Sequence, residues 1–326
     1  MRLSYWLPTF TEGAPDYRRL GETARQVERR GYAGAYLLDH VLPITGVHQS
    51  AWLETMVGLG ALAAATEAIT IGTASMIVGF RHPVLLAKQL ASVAVIAGPR
   101  LVLGASSGWY APEYAAFGHS IADRGALTDE TLAATRLLLS EDDASYRGRH
   151  WSFDGITIAP RPSQTIPFVV AGGSRTAAAG SARDLPELAP AVLRRILRWD
   201  GWLAPCSGDE ALTYRDLDQV TMGLTAKQDR ADFRLMHVQW IHAVDTDDRE
   251  RALHEQLPLF RALMGEQHTD QHFIETYLVG SRQDIRDRVA RLMAHGFHEV
   301  IVGPVTHDRR QVDLIFDLLA PVCRPQ

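Results

Sequence analysis

Eight short apolar runs alternate with helix-patterned segments along the whole chain, and this alternation limits the fold more than any other feature. Residues 3–7 form the first run, which stops at Pro8. Tyr17, Leu20, Ala24 and Val27 then recur at helical spacing and end at Gly31. Residues 34–38 and 69–77 are the second and third runs, and Pro83 suits the first position of a helix that continues to 97. Further runs cover 101–105, 167–171, 201–204, 235–243 and 299–302. The last helix carries Val312, Ile315, Phe316 and Leu319 on one stripe. Strand and helix in strict alternation predict an α/β chain folded as a (β/α)8 TIM barrel. A doubly wound sheet also alternates, but it has fewer strands and a glycine-rich first turn. The first strand here ends in Leu-Pro-Thr-Phe instead.

Length alone permits one large barrel or two domains; the unbroken alternation makes the expectation a single domain over 1–326 with insertion loops at the carboxyl rim of the strands. Three stretches are too long for ordinary connections and are expected to be lids or specificity loops: 118–167, 222–233 and 257–277. The first holds a helix pattern over 126–139 and an irregular piece over 146–154.

The formal net charge is -5 and no long basic run occurs, which argues against nucleic acid as a partner. Arg194, Arg195 and Arg198 are read as a solvated helix face. Cys206 and Cys323 alone make neither a disulfide framework nor a metal pattern, and suit a reducing cytoplasm. No signal-peptide pattern opens the sequence, and no apolar run reaches membrane-spanning length. Histidine is frequent, yet no H-E-x-x-H or similar spacing appears, so no metal site is expected. Ser106 and Ser107 do not form a G-x-S-x-G elbow.

In a barrel, chemistry gathers where the strands end. The fourth run ends in Gly104, Ala105, Ser106, Ser107 and Gly108, small enough for something flat to approach, and Trp109, Tyr110, Tyr114 and Phe117 follow. The second run ends in Asp39-His40. A histidine there can move a proton near neutral pH, with a carboxylate to orient it; an Asp cap beside a hydrogen-bonded His is the plainer alternative. The third run ends in Thr73-Ala74-Ser75-Met76, followed by Arg81-His82-Pro83, where Arg81 is read as structural. After the fifth run, Gly172, Gly173, Ser174, Arg175 and Thr176 make either an anion cradle or an ordinary capped turn.

Together these segments resemble the luciferase-like flavin oxidoreductases. The shared features are the G-x-x-x-G-aromatic end of the fourth strand, the acidic-His pair, the R-H-P segment and the Gly-Gly-Ser turn. The lead-in 159–167 also matches that family's P-x-P-x-Q-x-x-x-P pattern. The resemblance implies reduced FMN as cofactor, or the 8-hydroxy-5-deazaflavin coenzyme F-420 as the alternative. It implies His40 as the acid/base beside the ring. Leu7, Ala74, Ser75 and Ser106 would pack near the ring system. Gly172, Gly173, Ser174 and Thr176 would hold its phosphate, and Trp6, Phe10, Trp109, Tyr110 and Trp202 would shape the substrate cavity. The favoured activity is a two-component monooxygenase: reduced FMN comes from a separate reductase and reacts with O2 beside a small organic substrate. Deazaflavin-dependent hydride transfer is the alternative, with its own reductase, and a non-catalytic flavin-binding barrel a third. A homodimer is implied, paired through barrel helices near 52–65. Two departures stand out. The segment 177–201 is longer than usual, and Trp109 takes the place where deazaflavin-dependent sugar-phosphate dehydrogenases carry a carboxylate.

Overall fold

The computed structural model describes residues 1–11, 17–44, 51–174, 187–206, 209–225 and 232–323. Eight parallel strands form the barrel: β1 (Arg2–Trp6), β2 (Gly34–Leu37), β3 (Thr70–Thr73), β4 (Leu101–Ser106), β5 (Phe168–Ala171), β6 (Gly201–Ala204), β7 (Arg234–Ile241) and β8 (Glu299–Pro304). Each pairs with the next, β8 pairs back to β1, and β5 closes on β4 through Phe168↔Leu103 and Val169↔Gly104. The expected (β/α)8 barrel is therefore the observed architecture. The helices include α1 (Leu20–Arg30), α2 (Thr55–Ala65), α3 (Pro83–Ala97), α4 (Ala111–Ala116), α5 (Arg124–Ser140), α6 (Pro190–Arg198), α7 (Glu210–Thr225), α8 (Arg249–Met264), α9 (Asp270–Thr276), α10 (Arg282–Ala294) and α11 (Arg310–Leu319). Gly31 ends α1 in a left-handed conformation, with φ of 100°, and Pro83 opens α3.

Strand pleating sorts the side chains into two layers. Trp6, Tyr36, Val102, Val169, Leu203, Met236, Val238, Trp240 and Ile301 share one buried cluster inside the barrel. Leu3, Tyr5, Leu7, Ala35, Ile71, Leu103, Phe168, Trp202 and Val300 pack instead with the helices. At the amino-terminal end of the barrel, buried Glu299 accepts hydrogen bonds from Ser4 Oγ (2.5 Å) and Tyr36 OH (3.0 Å). Two glycines serve strand approach rather than a ligand. A Cβ on Gly104 would lie 2.0 Å from the Thr73 carbonyl oxygen, and one on Gly72 would lie 2.5 Å from that of Val102.

Several local expectations are corrected. The third run breaks after Thr73, and Met76–Ile77 forms a separate short strand on β4. The piece over 146–154 is an antiparallel hairpin, Ala144–Arg147 with Ser152–Ile156. Its Arg-Gly-Arg-His turn hid the alternation. It lies on the outside of the barrel: Ala144 and Ile158 pack with Ala87 and Ala91 of α3 and Leu138 of α5, and Glu130 accepts from the backbone N–H of Arg149 and His150. Arg195 is buried rather than solvated, and its guanidinium pairs with Asp129 at 2.5 Å. Residues 235–243 end as a strand at Ile241, so His242 lies beyond it.

His237 on β7 is buried in the outer layer, with Nδ1 3.1 Å from the Ala204 carbonyl oxygen and Nε2 3.1 Å from Gln239 Nε2. Burial pushes its pKa down to about 4. An unfolded chain protonates this imidazole near its ordinary value of about 6.5. Between these values only the unfolded state takes up the proton, so the contribution to stability is full above that window and is lost as pH falls through it. Urea midpoints measured at pH 7 and at pH 4.5 should therefore drop less in His237→Gln than in the parent chain. Equal drops would show that His237 carries no such linkage.

Candidate active site

The carboxyl ends of the strands enclose a cavity of about 330 Å³, within the range of small-molecule pockets. Its described walls come from strand ends and the turns after them. Trp6, Leu203 and Val238 form the floor, Ala74, Ser75, Ile77 and Ser106–Trp109 one side, Ala171–Gly173 with Pro205 and Cys206 the other, and Leu38–His40 the rim. The Ala74–Ser75 peptide is cis. None of the described residues over 118–167 lines it, so that long excursion braces the outside of the barrel rather than covering the site.

The two residues of the Asp39-His40 pair are anchored in different directions. Asp39 is buried and takes a two-pronged bond from Arg81 (Nη1–Oδ2 2.6 Å, Nη2–Oδ1 2.9 Å). It also accepts from Thr55 Oγ1 at the start of α2 (2.8 Å) and from the Ile77 N–H (2.9 Å). Arg81 reaches on to Glu54 at 2.8 Å. This cluster ties the ends of β2 and β3 to the starts of α2 and α3. The His40 side chain lines the cavity and is 9% exposed. Its ring neighbours Trp52, with centroids 4.8 Å apart, and Trp109, at 6.2 Å.

Sequence reasoning missed a carboxylate here. Glu113 in the first turn of α4 is fully buried and sits 3.1 Å from His40 Nδ1. By sequence resemblance Trp109 takes the place of a carboxylate, and Glu113 follows it four residues later. The sequence signal was the Glu113-Tyr114 step after Pro112, at the start of a helix too short to show periodicity. Leu203, Val238, Pro205 and Cys206 were also missed. Burial pushes the Cys206 thiol up to about 12.

Of the residues implied by resemblance, the cavity wall brings together His40, Ala74, Ser75, Ser106, Gly172, Gly173, Trp6 and Trp109. Five other described residues, Ser174 among them, do not line it. Leu7 and Trp202 face the helix layer, because each neighbours an inward residue, Trp6 and Leu203, on a pleated strand. Trp202 donates its indole N–H to the Gly172 carbonyl oxygen at 2.7 Å, which fixes the turn from behind. Phe10 packs on Trp52, Trp240 and His307, and Tyr110 turns toward Trp109 outside the cavity wall. Thr176 lies outside the described residues.

A flavin-type ring system fits the described wall, where Ala74, Ser75, Ser106, Ser107, Gly108, Ala171, Gly172 and Gly173 are all small. The indole N–H of Trp6, buried and without a partner among the described residues, adds a donor in the floor. The phosphate end is different. Ser174 donates both its N–H (2.5 Å) and its Oγ–H (2.6 Å) to buried Asp216. Burial raises the Asp216 carboxyl above its usual range, against the pull of those two bonds. A Cβ on Gly173 would lie 2.9 Å from Pro205 Cδ and 3.0 Å from Asp216 Oδ2, so this turn tolerates no side chain. Among the described residues no group of three or more His, Cys, Asp or Glu side chains could hold a metal ion, and no helix is long and apolar enough to cross a membrane.

A closed parallel barrel with a buried histidine–carboxylate pair and a small-residue cleft at its carboxyl rim is a TIM barrel with a candidate small-molecule site. The chain belongs to the luciferase-like monooxygenase family, whose model matches residues 1–188. It is similar to the FMNH(2)-dependent dimethylsulfone monooxygenase of Pseudomonas putida, with 28% identity over 203 residues, 57% of this chain and 54% of that one. It is also similar to the F420-dependent glucose-6-phosphate dehydrogenase of Amycolatopsis mediterranei, with 29% identity over 175 residues, 51% of this chain and 52% of that one. The chain thus spans about half the length of the curated relatives it matches. Among solved structures, an F420-dependent secondary alcohol dehydrogenase in complex with an F420-acetone adduct superposes with a TM-score of 0.79. That match covers 99% of both chains at 16% identity, a likeness of fold.

The Asp39–Arg81 pair generates a stability prediction. Arg81→Met removes the charge but keeps much of the stem, and leaves Asp39 as a buried carboxylate with Thr55 and Ile77 as its donors among the described residues. Urea unfolding should show a loss of about 3–5 kcal/mol. Adding Asp39→Leu to that variant should recover part of it, and a double variant no better than the single one would contradict the account.

Proposed function

We propose that the chain is a flavin-dependent oxidoreductase that works as the oxygenase of a two-component pair, using reduced FMN and O2 on a small organic substrate. The observation that carries this reading is the cavity itself, which His40 lines together with a run of small residues at the barrel's carboxyl rim. Bound there, the flavin would supply the redox chemistry. The chain's own residues do the rest. Ala74, Ser75, Ser106, Ser107 and Gly108 on one side, and Gly172 and Gly173 on the other, leave room for a flat ring and keep water from its faces. Gly172, Gly173 and Ser174 take the phosphate end, for which Asp216 has to release Ser174. His40 gives or takes the proton at the edge of the cavity, and Trp109, half exposed, borders the substrate's entrance. A separate reductase delivers the reduced cofactor. Similarity to the F420-dependent dehydrogenase supports the second reading, hydride transfer with the deazaflavin.

Titration of the purified chain with FMN and with the deazaflavin, followed by absorbance, separates the two. Tighter FMN binding with O2-dependent product formation is the expected result; tighter deazaflavin binding and turnover without O2 would assign the second reading. His40→Ala should lower turnover by about two to four orders of magnitude while cofactor affinity changes much less. Full turnover with lost affinity would make His40 a binding residue.

The chain is further proposed to form a homodimer. Val57 on α2 and Leu85, Val95 and Ile96 on α3 are apolar and exposed, and the two helices are neighbours. Light scattering at micromolar concentration should give twice the chain mass, and Val57→Asp should lower it. A monomer in the parent chain would remove the idea.

A further inference from the structure

Glu113 stands behind His40, on the side away from the cavity. It is fully buried and contributes nothing to the cavity wall, whereas His40 does. Its Oε1 accepts the backbone N–H of Val41 at 2.6 Å and of Leu42 at 3.2 Å. His40 Nδ1 lies 3.3 Å from the same oxygen and 3.1 Å from Oε2. The only hydrogen-bond contacts of the His40 ring among the described residues are these two, so Nε2 is left to the cavity.

We propose that Glu113 is the positioning residue of this site: it holds the ring proton on Nδ1 of His40 and so keeps the Nε2 lone pair turned to the cavity. This rests on His40 as the acid/base of the proposed reaction. A neutral imidazole has one N–H and one lone pair, and the partner of one nitrogen decides which of the two the other presents. Carboxylate partners fix metal-bound histidines in the same way. The two backbone amides make the arrangement one-sided. They can only donate, so they pin Oε1 as an acceptor and set the plane of the carboxylate against the ring. Trp52 and Trp109 are the aromatic neighbours of the ring, at centroid distances of 4.8 and 6.2 Å. Glu113 is not itself a proton carrier to a ligand, because the ring stands between it and the cavity.

Glu113→Gln tests this with almost no change of shape. The amide oxygen has to take the Val41 and Leu42 N–H groups, since an NH2 group cannot accept them. The NH2 group is then turned toward Nδ1, which must accept, and the ring proton moves to Nε2. Long-range nitrogen–proton spectra of the full chain read the tautomer directly and need no cofactor. His40→Asn assigns the signal by its loss. The expected result is Nδ1–H in the parent chain and in Glu113→Asp, and Nε2–H in Glu113→Gln. Turnover in Glu113→Gln should fall by about two to four orders of magnitude, in kcat more than in KM. Nε2–H in the parent chain overturns the proposal even if Glu113→Gln fails to fold, and so does Nδ1–H in a folded Glu113→Gln. An inverted tautomer with undiminished turnover supports the hold of Glu113 on the ring and overturns the acid/base role of His40 instead.

Discussion

Closure of the sheet between β4 and β5 is the constraint on which the rest depends. Once Phe168 lies opposite Leu103 and Val169 opposite Gly104, the eight barrel strands close on one another. Every strand must then send alternate side chains inward and outward. That parity decides that Trp6, Leu203 and Val238 meet the cavity while Leu7 and Trp202 serve the helix layer. It also demands close backbone approach where β3 and β4 meet, which Gly72 and Gly104 allow. The small-residue wall beside the cavity continues that approach: the side chains that must be small for the strands also leave the space a ring would fill.

The rim is built by splitting neighbouring residues between separate anchors. Asp39 is held by Arg81 and Thr55, from the segments that open α3 and α2, and gives the rim its rigidity. His40, one residue on, is held from α4 by Glu113 and keeps one nitrogen for the cavity. Ser174 and Asp216 form a third anchor, across the expected anion cradle. That bond orders the turn, but it commits two donors a phosphate would need. An anion entering there would have to compete with the buried Asp216 carboxylate for those donors.

The barrel was legible because its signal is repeated along the whole chain: eight apolar runs separated by helix patterns leave few topologies open. The rim was legible only in part. Asp39-His40, Ala74-Ser75, Ser106 and Gly172-Gly173 could be placed because strand ends are marked by small or polar residues after an apolar run. Leu7 and Trp202 were misplaced because a run of four or five apolar residues does not declare its own inward parity. The hairpin over 144–156 was hidden by charged residues on an exposed sheet, where no apolar face is needed to set the pattern.

By itself the sequence determined the order of strands and helices, the rim at which chemistry collects, and the residue types available there, because local periodicity and turn chemistry act over a few residues. Only the tertiary structure decided which partners those residues take. Glu113 reaches His40 across 73 positions of sequence, Arg81 reaches Asp39 across 42, and Asp216 reaches Ser174 across 42. No local pattern records such pairs. They exist because a closed barrel brings the ends of all its strands to one rim, where a buried polar group must find its partner among whatever the neighbouring turns supply.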